Sequence, residues 1–188
     1  MTPSVRLLAL AAFVVLLWIV QGVNWATGYA LNLAFGLIPR RVEGLDGVAL
    51  MPLLHGSVPH LAANTPPLLV MGGLLALTAT RALVLVNAII VVGGGALVWL
   101  FASTAIHVGA SGLVFGWFGF LVTRAILDRS PVTLASAAIV GLLYGAMIWG
   151  VLPGRAGVSW EAHLFGFLAG AAAARLVRTH VHAPSMKG

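Results

Sequence analysis

Six apolar runs, each about 17 to 22 residues long, account for most of this sequence, and each has the length of a helix crossing a ~30 Å hydrocarbon core. They lie at about 7–26, 58–79, 83–102, 111–127, 132–152 and 162–177. Backbone polar groups inside hydrocarbon must pair within their own segment, so runs of this kind fold as helices. The expected fold is all-α: a polytopic membrane protein of six transmembrane helices. It forms one membrane domain over residues 1–188, with no soluble accessory domain. Composition agrees, since 61% of residues are hydrophobic and 7% charged, far from the soluble norm.

The few charges read as topology signals in a lipid bilayer. Ten Lys and Arg against four Asp and Glu give a net charge of +6. The basic residues never cluster into a stripe with interleaved aromatics, which sets nucleic acid aside. Arg6, Arg81, Arg124, Arg129, Arg175, Arg178 and Lys187 fall on one side of a six-span arrangement, with Arg40, Arg41 and Arg155 opposite. The positive-inside rule makes the first side, with both termini, cytoplasmic. Arg far outnumbers Lys, a bias that suits a GC-rich bacterial genome and hence an inner (plasma) membrane. Absence of cysteine excludes disulfides, thiolate nucleophiles and thiolate metal sites. The first run is too long for a signal peptide and lacks a small-residue cleavage site, so no cleaved signal is expected. Between runs one and two, Tyr29 to Ile38 is apolar enough to lie in the interface, and Arg40, Arg41, Glu43 and Asp46 meet water.

In this topology runs two, four and six all descend from the outer face and carry their polar residues near their outer ends. At ~1.5 Å per helical residue, Ser111 lies about 20 Å above the cytoplasmic boundary at Arg124, and His163 about 18 Å above Arg175. They share one depth. Asn64 falls a few ångströms higher if Pro66 and Pro67 do not kink its helix. A serine hydroxyl is a weak nucleophile until a neighbouring base takes its proton, and an ionisable residue within a span is a functional hypothesis by default. Ser111 and His163 are therefore the candidate nucleophile and general base. Gly109 and Gly112 flank the serine, while Gly166 and Gly170 lie near the face of His163, so two small-residue faces can bring hydroxyl and imidazole together. Ordinary helix packing accounts for the same glycines equally well. His60 and Asn64 share one helical face and, with the Ser111 backbone N–H, are candidate oxyanion donors; tying spans together is their plainer role. His55 lies just before that span.

Other intramembrane chemistries fit less well. Asp46 and Asp128 lie in loops, so no carboxyl pair sits at depth, and a His-Glu-x-x-His helix is absent. Zinc held by His55, His60 and His163 would leave Ser111 without a role. No metal or cofactor is expected. His107, His180 and His182 read as loop and tail residues. The stretch from Pro153 to Trp160, just ahead of His163, reads as a mobile cover.

Three segments together carry a resemblance. Gly109-Ala110-Ser111-Gly112 opens the fourth run, His55, His60 and Asn64 enter the second, and Ala162-His163-Leu164-Phe165-Gly166 with Gly170 stands in the sixth. In this they resemble the rhomboid intramembrane serine proteases. The resemblance implies a rhomboid-like bundle in which Ser111 and His163 form a catalytic dyad without an aspartate. It also implies that His60, Asn64 and the Ser111 amide serve the oxyanion, with His55 in support. The implied substrates are transmembrane segments of other membrane proteins, cut near their outer ends. Small or helix-breaking residues there suit the task, because a helix must unwind before its carbonyl can be attacked. The chain departs from the family's pattern at three places. Arg40-Arg41 stands where a Trp-Arg pair is common. Phe115 replaces a tyrosine that many members pack beside the histidine, so ring packing is expected without a phenolic hydrogen bond. Ala76 lies near the place of the usual glutamate after Gly72-Gly73. A non-catalytic rhomboid-like protein that binds transmembrane helices is the rival reading, although such relatives typically lack the serine or the histidine. A small transporter finds neither a buried charged pair nor an inverted repeat in its support.

Overall fold

A computed structural model describes residues 1–79, 82–154 and 157–181, the last four by backbone alone. Arg81, Arg155, His182, Lys187 and the middle of the expected cover lie outside the described residues, as do the side chains of Arg178 and His180. Among the described residues the architecture is all-helical. The elements are α1 (Pro3–Ala26), α2 (Ala30–Phe35), α3 (Gly47–Leu50), α4 (Val58–Thr78), α5 (Leu83–Phe101), α6 (Ser111–Asp128), α7 (Pro131–Tyr144) and α8 (Trp160–Val181). Among the described residues, five stretches are long and apolar enough to cross a membrane: α1, α4, α5, α6, and α7 with its tighter extension Gly145–Val151. The sixth run lies in α8, which has 22 residues but carries Glu161, His163 and Arg175 along an otherwise Ala- and Gly-rich helix.

Helix starts follow from local chemistry. Thr2, Ser57, Ser130 and Ser159 each place a hydroxyl oxygen to accept an N–H of the first turn that follows, which satisfies a donor the helix cannot. Pro3, Pro59 and Pro131 stand in first turns, where a missing N–H costs nothing. Pro66 and Pro67 do not end α4, which runs as one helix to Thr78.

The bundle is arranged around α6. It is the most buried of the apolar helices, whereas α1 and α7 turn most of their surface outward, as helices facing lipid do. Glycines set its distance from α8. A Cβ at Gly166 would fall on the carbonyl oxygen of Gly112, one at Gly170 on that of Gly116, and one at Gly119 on that of Phe167. Backbone therefore lies against backbone along the whole upper half of this pair. α5 approaches the same region, with a Cβ at Gly94 only 3.5 Å from Gly166 Cα.

The segment between α1 and α4 docks on the C-terminal end of α5. Leu37 and His107 exchange two backbone hydrogen bonds of 3.1 and 2.8 Å. Arg40, at φ +58, donates from Nη1 to the Ala102 carbonyl at 2.7 Å and from Nη2 to Thr104 Oγ1 at 3.2 Å. The Arg40-Arg41 segment thus holds the third span, and Trp99 Nε1 answers by donating to the Arg41 carbonyl at 2.9 Å.

Candidate active site

Ser111 is the first residue of α6, and the turn that delivers it needs Gly109. Gly109 sits at φ +131, and a Cβ there would lie 2.8 Å from His60 Cε1, so both backbone and space demand glycine. The loop is fixed on each side of the turn: Gly109 N–H donates to the Met51 carbonyl at 2.9 Å, and Ala110 N–H to His55 Nε2 at 3.2 Å. His55 is fully buried. Because its Nε2 accepts, its hydrogen is on Nδ1. Burial, reinforced by repulsion from His60, lowers its pKa to about 3, which keeps that acceptor available.

His163 comes from the first turns of α8. Its Nε2 lies 2.9 Å from Ser111 Oγ, and its Nδ1 lies 2.9 Å from the carbonyl of Gly150. A carbonyl can only accept, so in the neutral ring Nδ1 carries the hydrogen and Nε2 is bare toward the serine. Gly150 thereby fixes the tautomer a base at this position needs, the part a carboxylate plays in a triad. It stands in the tight extension Gly145–Val151, where the last turns of the fifth run leave the α-helical path. A Cβ at Gly150 would lie 3.2 Å from His163 Nδ1 and 2.9 Å from Phe115 Cζ, so a larger residue would displace one of them. Phe115, one turn below Ser111, stacks flat on the imidazole at a centroid distance of 4.2 Å and an interplanar angle of 6°.

His60 and Asn64 stand across from the pair on α4. Both line a cavity of about 1030 Å³ that also contains Ser111, His163, Phe115 and Trp149. The His60 ring meets His55 edge to face at 5.1 Å. Asn64 is 6% exposed and donates one amide hydrogen to the His60 carbonyl at 3.1 Å, with its second hydrogen left over. Gly112, Gly166 and Gly170 do not touch the cavity's chemistry; they set the helix spacing that lets Ser111 and His163 meet.

Several participants escape sequence reading. His107 is a loop residue, as expected, but a buried one: it is 3% exposed, with Nδ1 2.6 Å from Ser159 Oγ and Nε2 3.0 Å from the Ser103 carbonyl. Glu161 Oε1 accepts from Ser103 N–H at 3.2 Å and from Ser103 Oγ at 2.6 Å. This network ties the loop before Ser111 to the cap of the helix that bears His163. The one available signal was a lone carboxylate two residues ahead of His163, in a stretch where charge is expensive. Gly150 left no signal, being one glycine of many in an apolar run. Among the described residues, no group of three or more His, Asp or Glu is placed to hold a metal ion.

Uncharacterized proteins of Mycobacterium bovis and Mycobacterium tuberculosis are 38% identical to this chain over 174 residues, covering 88% of it and 72% of each of them. One from Mycobacterium leprae is 34% identical over 174 residues, covering 88% of this chain and 68% of its own. Residues 42–180 match the Rhomboid domain family. That stretch takes in α4 to α7, nearly all of α8 and every residue placed around Ser111 above, and by it the chain belongs to the rhomboid family.

Proposed function

We propose that this protein is an intramembrane serine endopeptidase that cuts transmembrane segments of other membrane proteins near the outer face. Rhomboid proteins are generally proteases of this kind. The observation that supports the reading most is the 2.9 Å approach of Ser111 Oγ to a His163 nitrogen left bare by the Gly150 carbonyl. Ser111 Oγ attacks the scissile carbonyl as its proton passes to His163 Nε2, and the Gly150 carbonyl steadies the imidazolium that forms. The oxyanion takes the Ser111 N–H at the start of α6, with His60 and the second Asn64 hydrogen as side-chain donors. His163 then returns its proton to the leaving amine, and water from the cavity resolves the acyl-enzyme. His55, Gly109, Gly112, Phe115, Gly166 and Gly170 support this pair. The chemistry calls for no metal or cofactor.

In this reading α8 is the sixth span of a single domain covering 1–188. The protein sits in a bacterial inner membrane with both termini cytoplasmic, and the cavity opens outward. The purified protein, reconstituted with a transmembrane substrate, tests the mechanism. Ser111→Ala and His163→Ala should each lower cleavage by about 10³-fold or more, since the two groups act as a unit; full activity in either variant sinks it. A fluorophosphonate probe should label Ser111 in the parent chain. If labelling and cleavage are both absent, the protein is a non-catalytic member that binds transmembrane helices.

A further inference from the structure

Two adjacent prolines leave one carbonyl of the α4 wall without either of the N–H donors a helical carbonyl ordinarily uses. A helical carbonyl accepts from the N–H four residues on, or three residues on in a tightened turn. For Ala63 those positions are Pro67 and Pro66, and neither has an N–H. Ala62 loses only the first of its two choices, because Thr65 still offers an N–H. Nearby side chains do not repair the gap: Asn64 donates to the His60 carbonyl and Thr65 Oγ1 to that of Leu61. Ala63 is exposed, and it lines the same cavity as Ser111 together with Pro66 and Pro67. Backbone groups without partners are tolerated at membrane depth where they line a cavity that supplies one.

We infer that the Ala63 carbonyl is a substrate subsite, an acceptor for a backbone N–H of the transmembrane segment once that segment has unwound near its scissile bond. The inference rests on the protease reading and adds a subsite to it. A segment still in helical form has its N–H groups engaged and gains nothing from this carbonyl. An unwound one has lost those acceptors and gains by replacing them. The subsite therefore recognises an unfolded stretch of main chain and reads no side chain.

Pro67→Ala tests this by returning an N–H four residues after Ala63, which closes the acceptor inside the helix; Pro66→Ala returns one to Ala62 and serves as the comparison. Alanine favours the helix in both, so folding is retained. Binding is measured on the Ser111→Ala protein in bilayer discs. The ligands are a synthetic transmembrane peptide with a Gly-rich centre and versions of it in which one backbone amide at a time is an ester. Pro67→Ala should weaken binding about fivefold, the size of one neutral hydrogen bond, and Pro66→Ala much less. One ester position should cost a similar factor against the Ser111→Ala protein and nothing further against the Pro67→Ala variant. Equal binding by Pro67→Ala, losses that simply multiply, or failure of every peptide to bind overturns the subsite. Failure of the protease reading shows separately, as absence of cleavage and labelling in the chain that keeps Ser111.

Discussion

Two sides of the same cavity are built on opposite terms. Along the α6–α8 seam three glycines admit no Cβ, because another main chain occupies its place. On the α4 and α7 sides, prolines 66 and 67 interrupt the hydrogen-bond ladder, and a Cβ at Gly141 or Gly145 would meet nothing within 4 Å. The serine and the histidine are borne by the seam. Main-chain contacts do not depend on rotamers, so they can hold two reactive atoms to within a few tenths of an ångström. The wall that a substrate would meet has fewer fixed contacts to break. Small residues are abundant on both sides. Over Gly72 of α4 and Gly150 of the α7 extension the space is filled by side chains, which can give way, whereas along the seam it is filled by main chain.

Filling that space should separate the two sides most sharply. At Gly170 an alanine Cβ overlaps the carbonyl of Gly116, an atom that cannot rotate away. Gly170→Ala should therefore cost about 3 kcal/mol or more and abolish Ser111 labelling as the helices part. Gly141→Ala on α7 should leave stability unchanged or raise it by about 0.5–1 kcal/mol, from the backbone entropy glycine carries in a helix. Thermal unfolding in detergent micelles measures both. Equal melting temperatures for Gly170→Ala and the parent would remove the distinction between seam and wall.

A smaller effect concerns His55, which anchors the turn before the serine through the Ala110 N–H. In the folded protein it stays neutral down to about pH 3, against an ordinary value of 6.5. Between those values the unfolded chain binds the extra proton, so stability is full above about pH 6.5 and falls as pH is lowered toward 3. At pH 5 this one group should account for about 2 kcal/mol. His55→Gln, whose side-chain carbonyl can accept the same N–H, should show a flatter decline between pH 7.5 and 5 than the parent. Parallel curves would mean that His55 is not what couples the serine turn to pH.

The same contrast explains what could be read from the residues alone. Apolar runs of membrane-spanning length pointed to the helices, because hydrocarbon permits little else. Depth along α6 and α8 gave the level of Ser111 and His163, because helical rise is constant. Partners supplied by main chain were invisible: the Gly150 carbonyl on His163 Nδ1 and the Ala110 N–H on His55 depend on how irregular turns fold back, which no side-chain pattern records. His107 read as an ordinary loop residue because its burial comes from backbone pairing with Leu37 and from Ser159, 52 residues away. Pro66 and Pro67 were legible as a disturbance of the second span, but not as one that leaves the helix continuous.

The finest distinction lies at Phe115, where the seam touches the His163 ring itself. The ring lies flat on His163 at 4.2 Å and reaches with Cζ toward Gly150. Phe115→Leu keeps apolar bulk but loses the flat face, and should slow fluorophosphonate labelling of Ser111 about threefold, in line with the ~0.5–1.5 kcal/mol such ring pairs contribute. Stability should change little beside that. Phe115→Tyr should be no better than the parent, because a para-hydroxyl extends from Cζ into the approach of Gly150 that holds the histidine tautomer. A tyrosine variant that labels faster than the parent would mean that Gly150 has room to yield. The fixed part of the site would then end at the Gly112–Gly166 contact and not extend to the turn above the imidazole.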